Sequence, residues 1–226
     1  MHADVSRRVH AACDRAGRDP ADVALLAATK YTDAPAVVHL AALGQRLFGE
    51  NRVQDARAKL DDIPGVVRKA LELHLIGHLQ TNKARAAAEI FDMVQSVDSP
   101  EIAIALGRGA ERAGKRLPVL LQVNVAGDAG KHGFSEEGLL AAAADILAVD
   151  AIEVQGLMTI GPRVGTPEEA RPTFVALRRL RERLAGSWPA NSLRHLSMGM
   201  SGDFEVAIEE AATIVRVGTA LVGSHH

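Results

Sequence analysis

The sequence predicts a single α/β domain in which eight parallel strands alternate with helices and close into a (β/α)8 barrel, or TIM barrel. About eight apolar runs of strand length alternate with helical segments along the whole chain, and this alternation is typical of βαβ units. No linker or shift in composition divides the 226 residues. Eight units in roughly this length favour a closed barrel over an open doubly wound sheet, which uses the same units.

The first two elements follow from apolar periodicity and turn residues. Residues 4–16 are amphipathic with helical spacing, and Gly17 stands where a helix commonly ends. The run VALLAATK, residues 23–30, has no helical period and predicts a strand buried on both faces that ends at Lys30.

The same reasoning assigns the rest of the chain. Further strands are predicted at residues 46–49, 73–77, 93–97, 118–125, 152–160, 193–198 and 214–217. Further helices are predicted at residues 34–43, 53–60, 80–91, 101–113, 136–147, 167–184 and 204–212. Because little chain follows the eighth strand, we expect the extra N-terminal helix within residues 1–17 to cover that part of the barrel.

Composition and charge exclude several classes of protein. The net charge of −2 and the 3% of aromatic residues give no basis for binding nucleic acid or an anionic membrane. A single cysteine, Cys13, excludes an internal disulfide framework and is typical of a reducing cytoplasm. No signal peptide or membrane span is apparent, so we expect a cytoplasmic protein. The closing Ser-His-His, residues 224–226, could derive from a vector.

Lys30 is the first candidate functional residue. It ends a predicted strand, and α/β proteins place their chemistry at the C-terminal ends of strands. A partly desolvated lysine can lose its proton near neutral pH and attack a carbonyl group. The alternative is a strand-end lysine whose ammonium group only reaches water.

Two turns near the C-terminus are candidate phosphate loops. Residues 197–203 (SMGMSGD) follow the seventh strand and open into a helix, and residues 216–219 (RVGT) follow the eighth. Barrels often bind phosphate at these two loops, through backbone N–H groups and hydroxyls at a helix N-terminus. Either turn alone could be an ordinary helix cap. A reactive lysine, a phosphate cradle and the lack of a metal-ligand cluster in the sequence together suggest pyridoxal 5′-phosphate (PLP).

Seven segments resemble, in order, the pyridoxal phosphate homeostasis protein family: ATKYT, FGENRVQDA, LHLIGHLQTNK, LLQVNVAGDAGKHG, VQGLMTIGP, LSMGMSGDFEVAI and VRVGTALVG. The resemblance covers nearly the whole chain. It implies one barrel domain over residues 1–226, similar to the N-terminal domain of alanine racemase, with Lys30 as the Schiff-base lysine. It implies that Arg216 faces the pyridine nitrogen and that the other cofactor-binding residues are Asn51, Met200, Ser201, Gly218 and Thr219.

Four other residues have open roles. His74, inside LHLIG, is either a hydrogen-bonded core histidine or part of the site. His78 is left out of the site because family members vary between histidine and proline there. Lys131 matches a family lysine, but a surface lysine is the simpler interpretation. Arg52 stands where many relatives have tyrosine.

Arg216 bears on whether the protein is an enzyme. A guanidinium group donates to an unprotonated pyridine nitrogen, which weakens the cofactor ring as an electron sink. Alanine racemases also use a second base, a tyrosine from a separate C-terminal domain, whereas the only tyrosine here is Tyr31. Those enzymes carry a histidine where this chain has Ile160.

We therefore expect a non-enzymatic, monomeric protein of vitamin B6 homeostasis that binds PLP and stores or delivers it, with apo PLP-dependent enzymes as candidate acceptors. The alternative is a weak or specialised PLP-dependent racemase or lyase. A class I aldolase on a barrel would share the lysine but would not need Arg216.

Overall fold

A computed structural model describes residues 1–30, 32–128, 130–162, 165–190 and 192–222. Within these residues eight parallel strands pair in chain order, and the first also pairs with the last, so the sheet closes into a barrel. The predicted (β/α)8 barrel is confirmed. The strands are β1 (Ala24–Ala28), β2 (Leu47–Glu50), β3 (Glu72–Leu75), β4 (Met93–Val97), β5 (Leu117–Gln122), β6 (Ile152–Met158), β7 (His195–Ser197) and β8 (Ile214–Val217).

Helices connect the strands around the outside of the barrel. They are α1 (His2–Ala16), α2 (Ala34–Ala42), α3 (Val53–Asp61), α4 (Gly65–Arg68), α5 (Ala84–Ile90), α6 (Pro100–Arg112), α7 (Glu136–Leu147), α8 (Arg171–Leu184), α9 (Phe204–Glu209) and α10 (Thr219–Val222). Short 3-10 turns stand at Pro20–Asp22, Thr81–Lys83 and Pro167–Ala170. None of the described helices is long and apolar enough to cross a membrane.

Element order agrees with the sequence prediction, while several strand ends differ. The strands predicted at 118–125 and 152–160 end at Gln122 and Met158. The residues that follow, Val123 and Thr159, remain buried. Burial therefore continues past the end of each strand, and an apolar run overestimates the length of the strand. The short helix α4 was not predicted.

The core has two parts. The larger cluster lies between the strands and the surrounding helices. A smaller cluster contains only strand residues, which fill the inside of the barrel: Leu26, Met93, Leu120, Met158 and Ile214. Such packed layers make a barrel interior a core rather than a pore.

The N-terminal helix covers the last part of the barrel, as predicted. α1 packs against α9 and α10. Arg8 Nε donates to Glu205 at 2.7 Å, and Arg18 Nη1 donates to the carbonyls of Ile208 and Ala212, both at 2.8 Å. The guanidinium of Arg18 thereby ties the segment after α1 to the last turn of α9 and to the residues that follow it.

Candidate functional site

Lys30 lies two residues beyond β1, at the edge where the C-terminal ends of the strands meet. The register of β1 and β2 pairs Ala28 with Gly49, so Lys30 and Asn51 each follow this pair by two residues. On its other side β1 pairs with β8, and Gly218 directly follows β8. A Cβ atom on Gly218 would lie 3.2 Å from the carbonyl oxygen of Ala28. Lys30 therefore stands between the segment carrying Asn51 and the turn after β8.

A short turn carries Lys30 out of the strand. The N–H and the hydroxyl of Thr32 both donate to the carbonyl of Thr29, at 3.0 and 3.1 Å. Thr29 itself is fully buried, whereas Lys30 is exposed. Lys30 thus stands at the mouth of the barrel on an anchored backbone. The strand predicted at residues 23–30 ends at Ala28 in the structure, two residues before Lys30.

A buried ion pair supports this turn from inside the fold. Lys59, on α3, donates to the Thr29 carbonyl at 2.6 Å and to Glu50 Oε1 at 2.5 Å. The Thr29 hydroxyl donates to the same carboxylate oxygen at 2.6 Å. Glu50 is 2% exposed. Such a pair is costly to break because one charge would be left buried without its partner.

Three of the predicted phosphate ligands are in direct contact. The N–H of Gly218 donates to Ser201 Oγ at 3.2 Å, and the Thr219 and Ser201 hydroxyl oxygens are 3.4 Å apart. The turns after β7 and β8 thus meet at one point, with two hydroxyls and one backbone N–H. This donor set is typical of an anion site.

The turn after β7 is shaped by Gly199 and capped by Asp203. Gly199 has φ +91°, and a Cβ there would lie 2.5 Å from the Cβ of Ala207, so the turn requires glycine. The Met200 N–H donates to Asp203 Oδ1 at 2.6 Å. The Met200 carbonyl accepts from Phe204 N–H at 2.9 Å. Both backbone polar groups of Met200 are therefore engaged within the turn.

Arg216 is buried inside the barrel on β8, at 5% exposure. Its Nη1 donates to Ser197 Oγ at 2.7 Å, and its Nη2 donates to the Thr159 carbonyl at 2.8 Å. Burial lowers the pKa of the guanidinium to about 10, and the carboxylate of Asp203 opposes this shift. Arg216 is therefore still a cation at neutral pH.

A chain of hydrogen bonds runs from Arg216 across the barrel. Ser197 Oγ lies 2.5 Å from Gln95 Oε1, Gln95 Nε2 lies 2.7 Å from His74 Nδ1, and His74 Nε2 lies 2.9 Å from Glu72 Oε1. A guanidinium can only donate, so the Ser197 hydroxyl accepts from Arg216 and donates to Gln95. The Gln95 amide then donates to Nδ1 of His74, which leaves its Nε2–H to donate to Glu72.

We call this network the barrel relay. It consists of Arg216, Ser197, Gln95, His74 and Glu72. Its hydrogen bonds all point away from Arg216 and end on a carboxylate. The bond from His74 is the largest cause that lowers the pKa of Glu72, so the relay ends on a stabilised negative charge. Consecutive hydrogen bonds polarise one another in a buried environment, and the relay fixes the orientation of the guanidinium.

Asn51 lies beside a cleft of about 230 Å³ at the barrel mouth. The cleft is also lined by residues that follow β3, by the end of β5 and by residues 130–132 of the glycine-rich loop GDAGKHG that follows β5. A Cβ on Gly77 would lie 2.3 Å from the Asn51 carbonyl, so this glycine allows the loops after β2 and β3 to touch. Asn51 thus lies on the opposite side of Lys30 from the Ser201 hydroxyl.

The structure gives the surroundings of His74, Lys131 and Arg52, whose roles the sequence left undecided. His74 is a buried, fully hydrogen-bonded histidine, and it also belongs to the barrel relay. Lys131 is half-buried, and its ammonium donates to the Gly161 carbonyl at 3.3 Å. Arg52 is exposed. Tyr31 and residues 224–226 lie outside the described residues.

Several supporting residues were not predicted from the sequence. Gln95 and Ser197 interrupt apolar strands, and polar residues inside buried strands are a signal that could have found them. Glu50 lies within the GEN motif but was given no role. The sequence gives no such signal for Lys59, because a lysine at the edge of an amphipathic helix is common and usually reaches water.

The chain is similar to known proteins over nearly its whole length. The family model for the alanine racemase N-terminal domain matches residues 8–226. The chain is 43% identical over 225 residues to the pyridoxal phosphate homeostasis protein of Pseudomonas aeruginosa, covering 98% of this chain and 93% of that protein. It is 40% identical over 219 residues to the protein of the same name from Aquifex aeolicus, covering 97% and 94%. A solved structure of PipY from Synechococcus elongatus with PLP bound is 38% identical with a TM-score of 0.83, covering 97% of this chain and all of that one.

Proposed function

The chain belongs to the pyridoxal phosphate homeostasis protein family, with the fold of the alanine racemase N-terminal domain, and we propose that it binds PLP and stores or delivers it in the cytoplasm. The observation that carries the proposal is the contact of Ser201, Gly218 and Thr219 beside the turn of Lys30. PLP has an anionic phosphate at one end of its ring and an aldehyde beside it. The contact offers donors for the phosphate, and Lys30 offers an amine for the aldehyde.

The donor set of the site fits this cofactor. When bound, PLP supplies an aldehyde that reacts with amines and a ring that can withdraw electrons. Ser201 and Thr219 would bind the phosphate with the Gly218 N–H, and Lys30 would hold the aldehyde carbon. Asn51 would border the ring from the segment after β2, and Met200 would shape the turn around the phosphate.

Arg216 favours a carrier over an enzyme. As a cation fixed by the barrel relay, it would donate a hydrogen bond to the pyridine nitrogen and leave that nitrogen without a proton. The ring then withdraws electrons weakly, so negative charge at Cα of a bound amino acid is poorly stabilised. This chemistry suits retention of the cofactor better than turnover of amino acids.

A weak or specialised racemase or lyase is the second candidate function. The fold is that of a racemase domain, and Lys30 would be available as a base once an amino acid displaced it from the aldehyde. Arg216 is compatible with this chemistry but makes it slow.

Cofactor transfer tests the carrier function. Protein loaded with PLP and freed of unbound cofactor is mixed with an apo PLP-dependent enzyme, and the return of that enzyme's activity is followed. We expect activity to return at a rate set by release from the barrel. Lys30→Ala, loaded in the same way, should release its cofactor faster.

The control reaction gives the apo enzyme the same amount of free PLP. A loaded protein that never restores activity, although its cofactor is recovered after denaturation, would contradict delivery. A protein that takes up no PLP at all would contradict the proposed function itself.

A further inference from the structure

A second group of polar side chains lies at the barrel mouth and includes none of the residues assigned to PLP. His78 follows β3, Asp98 follows β4, and His132 belongs to the loop after β5. The carboxyl ends of three consecutive strands meet at this edge, so the folded barrel brings the three side chains together. Nothing in the spacing of these residues along the sequence indicates a ligand cluster.

The three side chains converge on one carboxylate oxygen. His78 Nδ1 lies 2.9 Å from Asp98 Oδ2, and His132 Nδ1 lies 3.9 Å from the same oxygen. The two imidazole rings are stacked, with centroids 3.7 Å apart and planes 10° apart. The side chain of Asp98 is only 9% exposed, so its charge is held largely out of water.

If these residues only provided a hydrogen bond to Asp98, one imidazole would be enough. The second imidazole brings its Nδ1 toward the same oxygen without hydrogen bonding to it, as ligands do around an ion. The ligand atoms of all three residues lie within 4.8 Å of one another. Two imidazoles and a carboxylate are a donor set that suits zinc and similar divalent ions.

We propose that His78, Asp98 and His132 form a binding site for a divalent transition-metal ion of the zinc class. Ligands at zinc–nitrogen and zinc–oxygen distances of about 2.0–2.2 Å stand roughly 3.3 Å apart in a tetrahedral site. The Asp98 oxygen is already at about this separation from both imidazoles. Both imidazoles are exposed and lie on connecting segments, so the stacked rings can turn apart and direct both nitrogens at an ion without moving the barrel.

The site would join three loops beside the cleft that Asn51 lines. Both His78 and His132 line that cleft. Three protein ligands leave a fourth position open, and water or a small ligand from the cleft can reach it. A bound ion would therefore link the loops after β3, β4 and β5 at the entrance to the cleft. This inference goes beyond the proposed function and requires no PLP.

Cobalt titration tests the site directly. Chelator-treated, PLP-free protein is titrated with Co²⁺, whose visible absorption reports a site of low coordination number, and Zn²⁺ is then added to displace it. We expect one equivalent of Co²⁺ to bind. His132→Asn and Asp98→Asn should each weaken binding by about 100-fold or more, since each removes a direct ligand.

Two control variants separate this site from other histidines. His10→Asn removes an exposed imidazole on α1 and should leave cobalt binding unchanged. The double variant of His225 and His226 to Asn tests whether the closing histidine pair supplies the signal. His132 is exposed, so its variant should fold, and thermal unfolding verifies this.

Absence of a visible band in the parent protein would overturn the proposal. So would binding that survives Asp98→Asn and His132→Asn, or binding lost in the His225 and His226 variant. Because PLP uptake is measured separately on the same samples by absorbance, failure of the metal site is distinguishable from failure of the cofactor site.

Discussion

At the scale of single residues, the position of Lys30 depends on what lies beneath it. The carbonyl of Thr29 accepts from Thr32 and from Lys59, and the Thr29 side chain is held by buried Glu50. A flexible lysine side chain is thereby placed on a backbone that cannot move freely. Because the backbone is already anchored, only the side chain of Lys30 loses conformational entropy when a ligand binds.

Lys30→Ala should abolish covalent retention of PLP, because Lys59, whose amine also lies near the end of β1, is held in a buried ion pair with Glu50 and cannot replace it. In the parent protein, borohydride reduction should add the mass of the cofactor to the peptide that contains Lys30. The absorption band near the visible edge should be lost in the variant. Peptide mass spectrometry and absorbance check both outcomes.

Lys69→Ala is the matched control, since Lys69 is an exposed lysine close to the N-terminal end of β3. It should keep both the band and the adduct. An unchanged band in Lys30→Ala would show that another residue holds the cofactor.

Ser197→Ala should destabilise the fold by about 2 kcal/mol, because it removes a buried hydrogen bond to the charged Arg216 and leaves Gln95 Oε1 without its donor. The absorption maximum of bound PLP should also shift, since Arg216 would no longer be fixed. Urea unfolding measures the first effect and absorbance of the loaded protein measures the second.

Ser6→Ala is the control for this variant, because the Ser6 hydroxyl donates only to its own helix near the surface. Its free energy of unfolding should change by less than about 0.5 kcal/mol. A Ser197→Ala protein with parental stability and an unshifted spectrum would show that the barrel relay does not position Arg216.

At the scale of elements, two turns from different strands form the proposed phosphate site. Ser201→Ala and Thr219→Val should each weaken PLP binding by about tenfold or more, since a hydrogen bond to a charged group contributes roughly 1.5–3 kcal/mol. Binding of pyridoxal, which lacks the phosphate, should change little. Equilibrium titration with the two ligands measures the difference.

Ser192→Ala, which alters a hydroxyl before β7 at the opposite end of the barrel, serves as the control and should bind both ligands as the parent does. Equal losses for PLP and pyridoxal in Ser201→Ala would place this turn at another part of the cofactor.

The contact between α8 and α9 predicts a pH dependence of stability. Arg171 donates to Glu209 and Glu210, at 2.7 and 2.8 Å, and its hydrogen bond is the largest cause that lowers the pKa of Glu209. A lowered pKa in the folded state means that the stabilisation is present above the unfolded value of about 4.3. It is lost as the pH falls through the folded value.

Arg171→Gln should therefore lower the free energy of unfolding at pH 7 by about 1 kcal/mol. The free energy of unfolding should then fall less steeply than in the parent as the pH drops below about 5. Chemical unfolding over this pH range measures the slope. Arg7→Gln, which breaks an exposed pair with Asp4, should leave the slope as it is in the parent. A slope unchanged by Arg171→Gln would show that Arg171 does not lower the pKa of Glu209.

At the scale of the whole molecule, the barrel relay joins the two ends of the barrel. Glu72 is the first residue of β3, at the N-terminal end, whereas Ser197 ends β7 and Arg216 is the third residue of β8. The apolar layer that fills the barrel around Leu26 is thus crossed by one polar path. That path keeps the buried cation hydrogen-bonded and fixed in orientation.

A protein organised in this way should bind PLP yet racemise amino acids negligibly, because a cationic Arg216 at the pyridine nitrogen would make the cofactor ring a weak electron sink. The loaded protein is incubated with L-amino acids in D2O, and deuterium at Cα and chirality are both followed. We expect no D-enantiomer, and at most slow deuteration with retained configuration, which Lys30 can support from one face.

Lys30→Ala is the control for this experiment and should show no exchange above that of free PLP. Rapid racemisation by the parent protein would favour the enzyme over the carrier.

The sequence by itself determined the element order, the closed barrel and the two turns that meet at Ser201 and Gly218. These follow from local signals, since apolar periodicity and turn residues act over a few positions. The position of Lys30 at the mouth also followed, because parallel strands must end at one edge. The strand boundaries were less well predicted, since burial extends beyond the strand ends at residues such as Val123.

Only the tertiary structure decided which distant polar residues meet. The partners of Arg216, the pair of Glu50 with Lys59, and the convergence of His78, Asp98 and His132 all join different strands or loops. Their contacts depend on the register and closure of the sheet, which fix the side chains that face the interior. A one-dimensional pattern carries no such information, because the same residues in a different register would face different neighbours.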